Sequence, residues 1–435
     1  MQPRTAVLPA SDDPAVSHVL DWVRPDEGRV FGRIYTDPDV FDLELRKIWH
    51  RTWLYAGHAS EVPKAGDYVT RVVGRVPLIL CRRSNGSVGV YINQCIHRGS
   101  LVCNYEQGST NLFQCPYHGW SYDTDGKLRN IPYASAYGSD FDKSNRGLPQ
   151  PRKVDEYRGF IFVSYSDDGP PLDKHLGNAQ EPLDRFIDLS PSGNVRLDAG
   201  CNRHRVEANW KIFVENTSDN YHGLFVHPTA FDDEQRRLFY AIARDASKAI
   251  VRSLDNGHTE LDFRPENRVQ GVVARTGQAN ETQDAATVAY MAALRERLGP
   301  EAADILVRDG EPLVYIFPNL LVIQQDVRRL EPVSATSSVL HQYPAMLDGA
   351  PDEINEQRLA RHETAYGPAG AIIPDDIEIF GRAQRSFNGD PDGWTTITRG
   401  LHRERPADDG TVVSHVTDET GMRGMWRQYL EYVTG

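Results

Sequence analysis

The chain has 435 residues, 40% hydrophobic and 25% charged, the make-up of an ordinary globular protein with room for two or more domains of usual size. A net charge of −13 argues against a nucleic-acid binder, because affinity for phosphate backbones comes from concentrated Lys and Arg. The opening stretch MQPRTAVLPASDDPAVSHVL lacks a basic segment followed by an apolar one, and no run reaches the roughly 18 apolar residues that span a bilayer, so a cytoplasmic, membrane-free protein is expected.

After a polar arm, DPDVFDLELRKIWHR reads as a helix capped near Asp37, with Phe41, Leu45 and Ile48 at helical spacing; residues 1–52 are taken as an N-terminal arm and helix. From Trp53 the pattern changes to short apolar runs (YVTRVV, VPLILCRR, VGVYINQC, GFIFVSYS) separated by turn signals such as Ser84-Asn85-Gly86 and Thr124-Asp125-Gly126. This predicts a small all-β domain over 53–166. The polar, Pro- and Gly-rich stretch DDGPPLDKHLGNAQEP marks a boundary, placed near 167. Beyond it, over 167–435, strand-like segments (NVRLDAGCNRHRVEA, PLVYIFPNLLVIQQ, ATSSVLHQYPA) alternate with helical ones (NWKIFVENTSDNYHGLF, DAATVAYMAALRERLG, EINEQRLARHETAYG, ETGMRGMWRQYLEYV), which predicts an α+β domain. Residues 253–285, dense in Asn, Asp, Gly and Arg, are expected to form a long mobile loop.

Five cysteines, at 81, 95, 103, 115 and 201, are too odd and sparse a set for a disulfide framework; thiols or metal ligands fit better. The strongest signal is Cys95-Ile-His97, seventeen intervening residues, then Cys115-Pro-Tyr-His118. Each pair projects one thiolate and one imidazole from a tight turn, and Gly99, Pro116 and Gly119 suit loops whose backbone approaches an inorganic core. A Cys2His2 zinc site takes the same ligand types. Zinc fingers, however, space Cys from Cys and His from His, whereas each pair here mixes them. Mixing is what a Rieske [2Fe-2S] cluster requires, with one iron on two cysteines and the other on two histidines. Cys81, Cys103 and Cys201 match no ligand position and read as buried thiols.

Downstream, NWKIFVENTSDNYHGLFVHP holds Asn216, Asp219, His222 and His227. Read as one amphipathic helix, it sets Asp219 and His222 on a shared face. His222 and His227 are five apart, about 140° on a regular helix, and would not meet on one metal. A break after His222 at Gly223 and a stop before Pro228 would bring them together. Far along the chain, Asp375-Asp376 opens the helix-like run DIEIFGRAQR. Two carboxylates there suit a helix cap. Equally, two histidines and one carboxylate make the facial triad of non-haem Fe(II) oxygenases.

The segments CIHRGSLVC, CPYHGWSYDTDG, ENTSDNYHGLFVH and GPAGAIIPDDIEIFGRAQR resemble the corresponding segments of Rieske non-haem iron aromatic ring-hydroxylating oxygenases, large (alpha) subunit. The likeness is strong at these four places and looser between them, from about Trp53 to Trp426. It implies a Rieske domain joined to a helix-grip catalytic domain, a curved antiparallel sheet with helices. It also implies a [2Fe-2S] cluster on Cys95, His97, Cys115 and His118, with Trp120 beside the loops, and a mononuclear Fe(II) on His222, His227 and Asp376. In the family register Asp376 is the ligand and Asp375 the cap, Asp219 bridges to a cluster histidine of a neighbouring subunit, and Asn216 is a polar residue near the iron. Electrons would come from NAD(P)H through a separate reductase, with or without a ferredoxin, and the assembly would be a homotrimer with small beta subunits (α3β3). The implied reaction is cis-dihydroxylation in aromatic catabolism. GPAG, and the spacing of Asn216 from Asp219, are most similar to the branch acting on benzoates, salicylates and terephthalate. For an aromatic carboxylate, Arg328, Arg385 or Arg399 would supply a cation, and Phe225, Val226, Leu224, Phe317 and Leu321 are candidate apolar wall. The alternatives are an alpha-only monooxygenase or demethylase and, from another class, an iron-sulfur electron carrier.

Overall fold

The structure, a computed structural model, describes residues 14–435 apart from 139, 145, 246 and 266–283. The chain divides into two compact units, one of residues 50–172 and 195–199, the other of 1–49, 173–194 and 200–435. The N-terminal segment, expected to stand as an arm of its own, thus clusters with the larger unit, and the division falls at 172 rather than 167.

The smaller unit is built from three antiparallel sheets. The turn signals sit where hairpins close: Gly86 and Gly126 adopt φ of 87° and 75°, and their N–H groups donate to Arg83 and Asp123 carbonyls at 3.0 and 2.9 Å. Its core gathers Tyr68, Cys81, Tyr91, Cys103, Trp120 and Tyr122 around Cys95 and Cys115.

In the larger unit we label six helices: α1 (Pro38–Glu44), α2 (Trp210–Thr217), α3 (Gly223–Val226), α4 (Asp352–Tyr366), α5 (Ile373–Gly389) and α6 (Thr420–Thr434). Asp37 caps α1 through Asp39 and Val40 N–H, as its sequence suggested. A nine-stranded antiparallel sheet runs, edge to edge, through 202–206, 337–344, 326–334, 320–323, 313–316, 259–262, 250–253, 412–415 and 405–406. Helix α6 lies across the strand at 250–253 where Gly424 leaves room: a Cβ there would stand 1.8 Å from Ser253 Oγ.

Part of the stretch expected to be loop, 253–285, is strand. Strands Ile250–Ser253 and Thr259–Asp262 pair as a hairpin, turning at Asn256 and Gly257 with φ of 55° and 78°, while 266–283 lie outside the described residues. Asn-Gly between apolar runs is a hairpin signal.

Candidate functional site

Two places in the chain gather metal-ligating side chains. In the smaller unit, Cys95-Ile-His97-Arg-Gly99 and Cys115-Pro-Tyr-His118-Gly119 form near-duplicate turns. Gly99 N–H donates to Cys95 O at 2.8 Å and Gly119 N–H to Cys115 O at 3.0 Å. Cys95 and Cys115 N–H groups each bond a carbonyl just past the turn, Ser100 O and Trp120 O, both at 2.8 Å. Each turn ends on a left-handed glycine, φ 73° and 71°, which a side chain would strain. The thiols point into the core and the imidazoles outward: Cys95 and Cys115 are buried, His97 is partly covered and His118 is exposed. The two imidazole centroids are 4.5 Å apart, and the Trp120 ring stacks on His97 at 4.7 Å. Tyr122 OH lies 3.2 Å from Cys95 Sγ, a partner that spacing alone does not reveal. Burial raises the proton affinity of the Cys95 thiol, a cost that binding iron as thiolate offsets.

This quartet fits a binuclear core better than zinc. Among the described residues, the one group of three or more potential ligands whose atoms lie within 4.8 Å of one another is His222, His227 and Asp376, so the two Cys-His pairs are spread more widely than a single ion requires.

The second place is that compact group, in the larger unit. Helix α2 is capped by Asn209 and ends at Thr217, earlier than the sequence suggested, so Asp219 and His222 do not share a helical face. They meet through a turn instead. The Asp219 carboxylate accepts from Tyr221 N–H and, at 3.4 Å, from His222 N–H, and faces His222 Nδ1 at 3.3 Å. The break therefore precedes His222 rather than following it, and the single turn of α3 carries the chain to His227, where φ −110° and ψ 53° end it before Pro228. His222 Nε2 and His227 Nε2 come within 3.8 and 3.2 Å of Asp376 Oδ1.

Asp375 is not a cap. Helix α5 begins at Ile373 with Pro374 in its first turn, no side chain caps it, and both acids lie inside that turn. The Asp376 side chain is 6% exposed, while Asp375, 42% exposed, faces His227 Nδ1 at 3.7 Å. His222 thus has one carboxylate in front and a hydrogen-bonded one behind, the arrangement that fixes a ligating imidazole, whereas His227 Nδ1 makes no hydrogen bond and Asp375 supplies only a nearby charge. Burial opposes protonation of His222, but the Asp219 hydrogen bond and the charges of Asp219 and Asp376 outweigh it and raise its proton affinity above the ordinary value. Asn216 Nδ2 reaches Asp376 Oδ1 at 3.5 Å.

The substrate candidates separate. Arg385 is a surface residue paired with Glu378. Arg399 donates to Thr417 O at 2.6 Å and lies over the Tyr221 ring at 4.0 Å. Arg328 is buried, bonds Asp326 Oδ2 at 2.6 Å and covers the Tyr366 ring at 4.8 Å, and its Nη2 has no hydrogen-bond partner. Phe225 is 63% exposed and Val226 half-buried, whereas Phe317 and Leu321 are core.

A second polar layer escaped the sequence. Glu44 accepts from Trp210 Nε1 at 2.7 Å, Lys211 Nζ at 2.5 Å and Tyr429 OH at 2.7 Å, all buried. Glu215 Oε1 accepts from Tyr35 OH at 2.7 Å and Trp426 Nε1 at 2.8 Å. A Lys and a Glu on the apolar face of α2 were the available signal.

Comparison with known proteins matches two families along the chain. Residues 52–153 match the family described as "Rieske [2Fe-2S] domain", and 187–435 match "Ring hydroxylating alpha subunit (catalytic domain)". The chain is 31% identical over 391 residues to the anthranilate 1,2-dioxygenase large subunit of Acinetobacter baylyi, covering 87% of this chain and 82% of that one. It is 37% identical over 433 residues to the chlorobenzene dioxygenase subunit alpha of Cupriavidus sp. strain PS12, with 94% and 91% covered. Among solved structures, naphthalene 1,2-dioxygenase bound to phenanthrene superposes with a TM-score of 0.83 at 24% identity, covering 95% and 94%, a likeness of fold.

Proposed function

This chain belongs to the ring-hydroxylating alpha-subunit family, and we propose from that premise that it is a terminal oxygenase that dihydroxylates an aromatic carboxylate. The observation that carries the reading is the convergence of His222, His227 and Asp376 in a chain that also bears the paired Cys-His turns. When bound, the Rieske cluster and the mononuclear Fe(II) supply single electrons and an open site for O2, so that O2, two electrons and two protons turn two adjacent ring carbons into a cis-dihydrodiol.

The protein's part is to hold and shield. The buried Cys95 and Cys115 would hold one iron of the cluster, and the more exposed His97 and His118 the other. His222, His227 and Asp376 would hold the mononuclear iron. Asn216 steadies Asp376 and Asp219 orients His222, while Asp375 places a negative charge 3.7 Å from His227 Nδ1. Asp219 is also the link to the partner subunit's His118 in a homotrimer, completed by small beta subunits and supplied from NAD(P)H through a reductase in the cytoplasm. No helix among the described residues is long and apolar enough to cross a membrane.

Arg328 is the cation for the substrate carboxylate: it is buried, and its Nη2 is unpartnered. Arg328→Lys keeps the charge beside Asp326 but removes that amine, so KM for carboxylates is expected to rise about tenfold with kcat little changed. The deciding experiment supplies holoenzyme and reductase with benzoate, salicylate, the phthalate isomers, aminobenzoates and chlorobenzene, and compares O2 uptake with product. Coupled dihydroxylation of a carboxylate is expected; coupling with chlorobenzene alone would overturn the substrate class, and demethylation of a methoxylated arene would favour the monooxygenase alternative.

A further inference from the structure

Two helices carry the candidate iron ligands, α5 through Asp376 and α2 through the turn that leads to His222. They touch near the site, where Asn216 reaches Asp376, and midway, where Phe213 meets Phe380 edge to face at 6.1 Å. They are joined again away from the site. Asn209, the cap of α2, donates its N–H to Gln384 Oε1 of α5 at 2.7 Å. Asn209 and Asn216 are seven residues apart, about 10 Å along α2, while Asp376 and Gln384 are eight apart, about 12 Å along α5. The two helices are therefore fastened at two points about two turns apart.

The far fastening is closed by a residue from the N-terminal segment. The Tyr35 carbonyl accepts from both Asn209 Nδ2, at 3.3 Å, and Gln384 Nε2, at 3.2 Å. The ring of Tyr35 stacks on Phe387 of α5 at 4.7 Å and meets Trp426 of α6 edge-on, and its hydroxyl bonds Glu215 of α2. Tyr35, Asn209 and Gln384 are each 1% exposed, so these bonds compete with no water. An amide side chain at 384 is needed because it must accept from one helix and donate to the N-terminal segment at once.

We propose that Tyr35, Asn209 and Gln384 form a clasp that sets the spacing of Asp376 against His222 and His227, making the N-terminal segment part of the frame of the mononuclear metal site. All three are positioning residues and touch no metal. The proposal rests on the reading of His222, His227 and Asp376 as metal ligands.

The test is metal affinity. Full-length protein with its cluster intact is freed of mononuclear metal and titrated anaerobically with Fe(II), and with Co(II) as a spectroscopic probe. Gln384→Met, similar in size but with no bond to either partner, is expected to weaken both metals by about tenfold or more and to alter the Co(II) visible bands, with cluster absorbance at the wild-type level. Asn209→Ser keeps a helix-capping hydroxyl and the backbone N–H bond to Gln384 but loses the side-chain bonds from Asn209 Nδ2 to Tyr35 O and, at 2.6 Å, to Ala335 O, and is expected to weaken binding by about threefold or more; it decides the matter if Gln384→Met does not fold. Tyr290→Phe, which removes a buried hydrogen bond to Leu189 O elsewhere in the same unit, serves as the control and is expected to lower Tm without changing affinity. If Asp376→Ala binds metal like wild type, the ligand reading falls and the clasp with it. If Asp376→Ala abolishes binding while the clasp variants match wild type, or if Tyr290→Phe weakens binding as much as they do, the clasp alone is overturned.

Discussion

Glu215 is a carboxyl held under Tyr35 and Trp426, and burial pushes its pKa up to about 7 although Tyr35, Trp426 and Lys211 each favour the charged form. In the unfolded chain it ionises near 4.5, so between these values the folded protein holds a proton that the unfolded chain has lost. Stability therefore falls as pH rises from about 4.5 to about 7 and is level above. Glu215→Gln removes this dependence. Its Tm relative to wild type is expected to improve from pH 5 to pH 8, the full effect being on the order of 3 kcal/mol, and a difference that is flat with pH would refute the assignment. Residues of this kind show the limit of reading single positions. The four cluster candidates were legible because two matched Cys-His pairs are improbable by chance. Spacing alone did not separate Asp376 from Asp375; the family register chose Asp376, and the start of α5 at Ile373 buries that acid and leaves the other partly exposed.

Among the elements, α4 and α6 were legible from their spacing, and the hairpins of the smaller unit from their Gly turns. The stretch after α2 was not, because an amphipathic pattern continues through 218–222 although the backbone leaves the helix there. What ends the helix is the Asp219 side chain, which draws the Tyr221 and His222 N–H groups to itself. Asp219→Asn keeps a side chain able to accept those bonds but removes the charge facing His222 Nδ1. Both iron sites are expected to stay loaded while cluster oxidation in a single turnover slows by about tenfold or more; unchanged kinetics would strip Asp219 of its bridging role. The buried face of α4 was illegible for a different reason. Arg358 and His362 look like surface residues in a helical pattern, yet they face Glu311 and Asp326, partners far away in sequence.

For the molecule as a whole, the cluster candidates lie within 95–118 and the iron candidates within 222–376, in different compact units. Each is expected to load without the other. Cys95→Ser should lose cluster absorbance and keep its mononuclear iron, and Asp376→Ala should do the reverse; loss of both metals in either variant would mean that the sites assemble together. The paired turns at 95–99 and 115–119 match in backbone but not in surroundings, since the buried Trp120 indole lies flat on His97 while His118 is exposed, with the Tyr117 ring tilted against it at 3.8 Å. An electron tunnels a shorter distance through a bare imidazole edge than across an intervening indole. A cluster seated here would thus behave as a terminal insulated on one side, and at equal driving force an acceptor docking over His118 would outpace one held beyond Trp120.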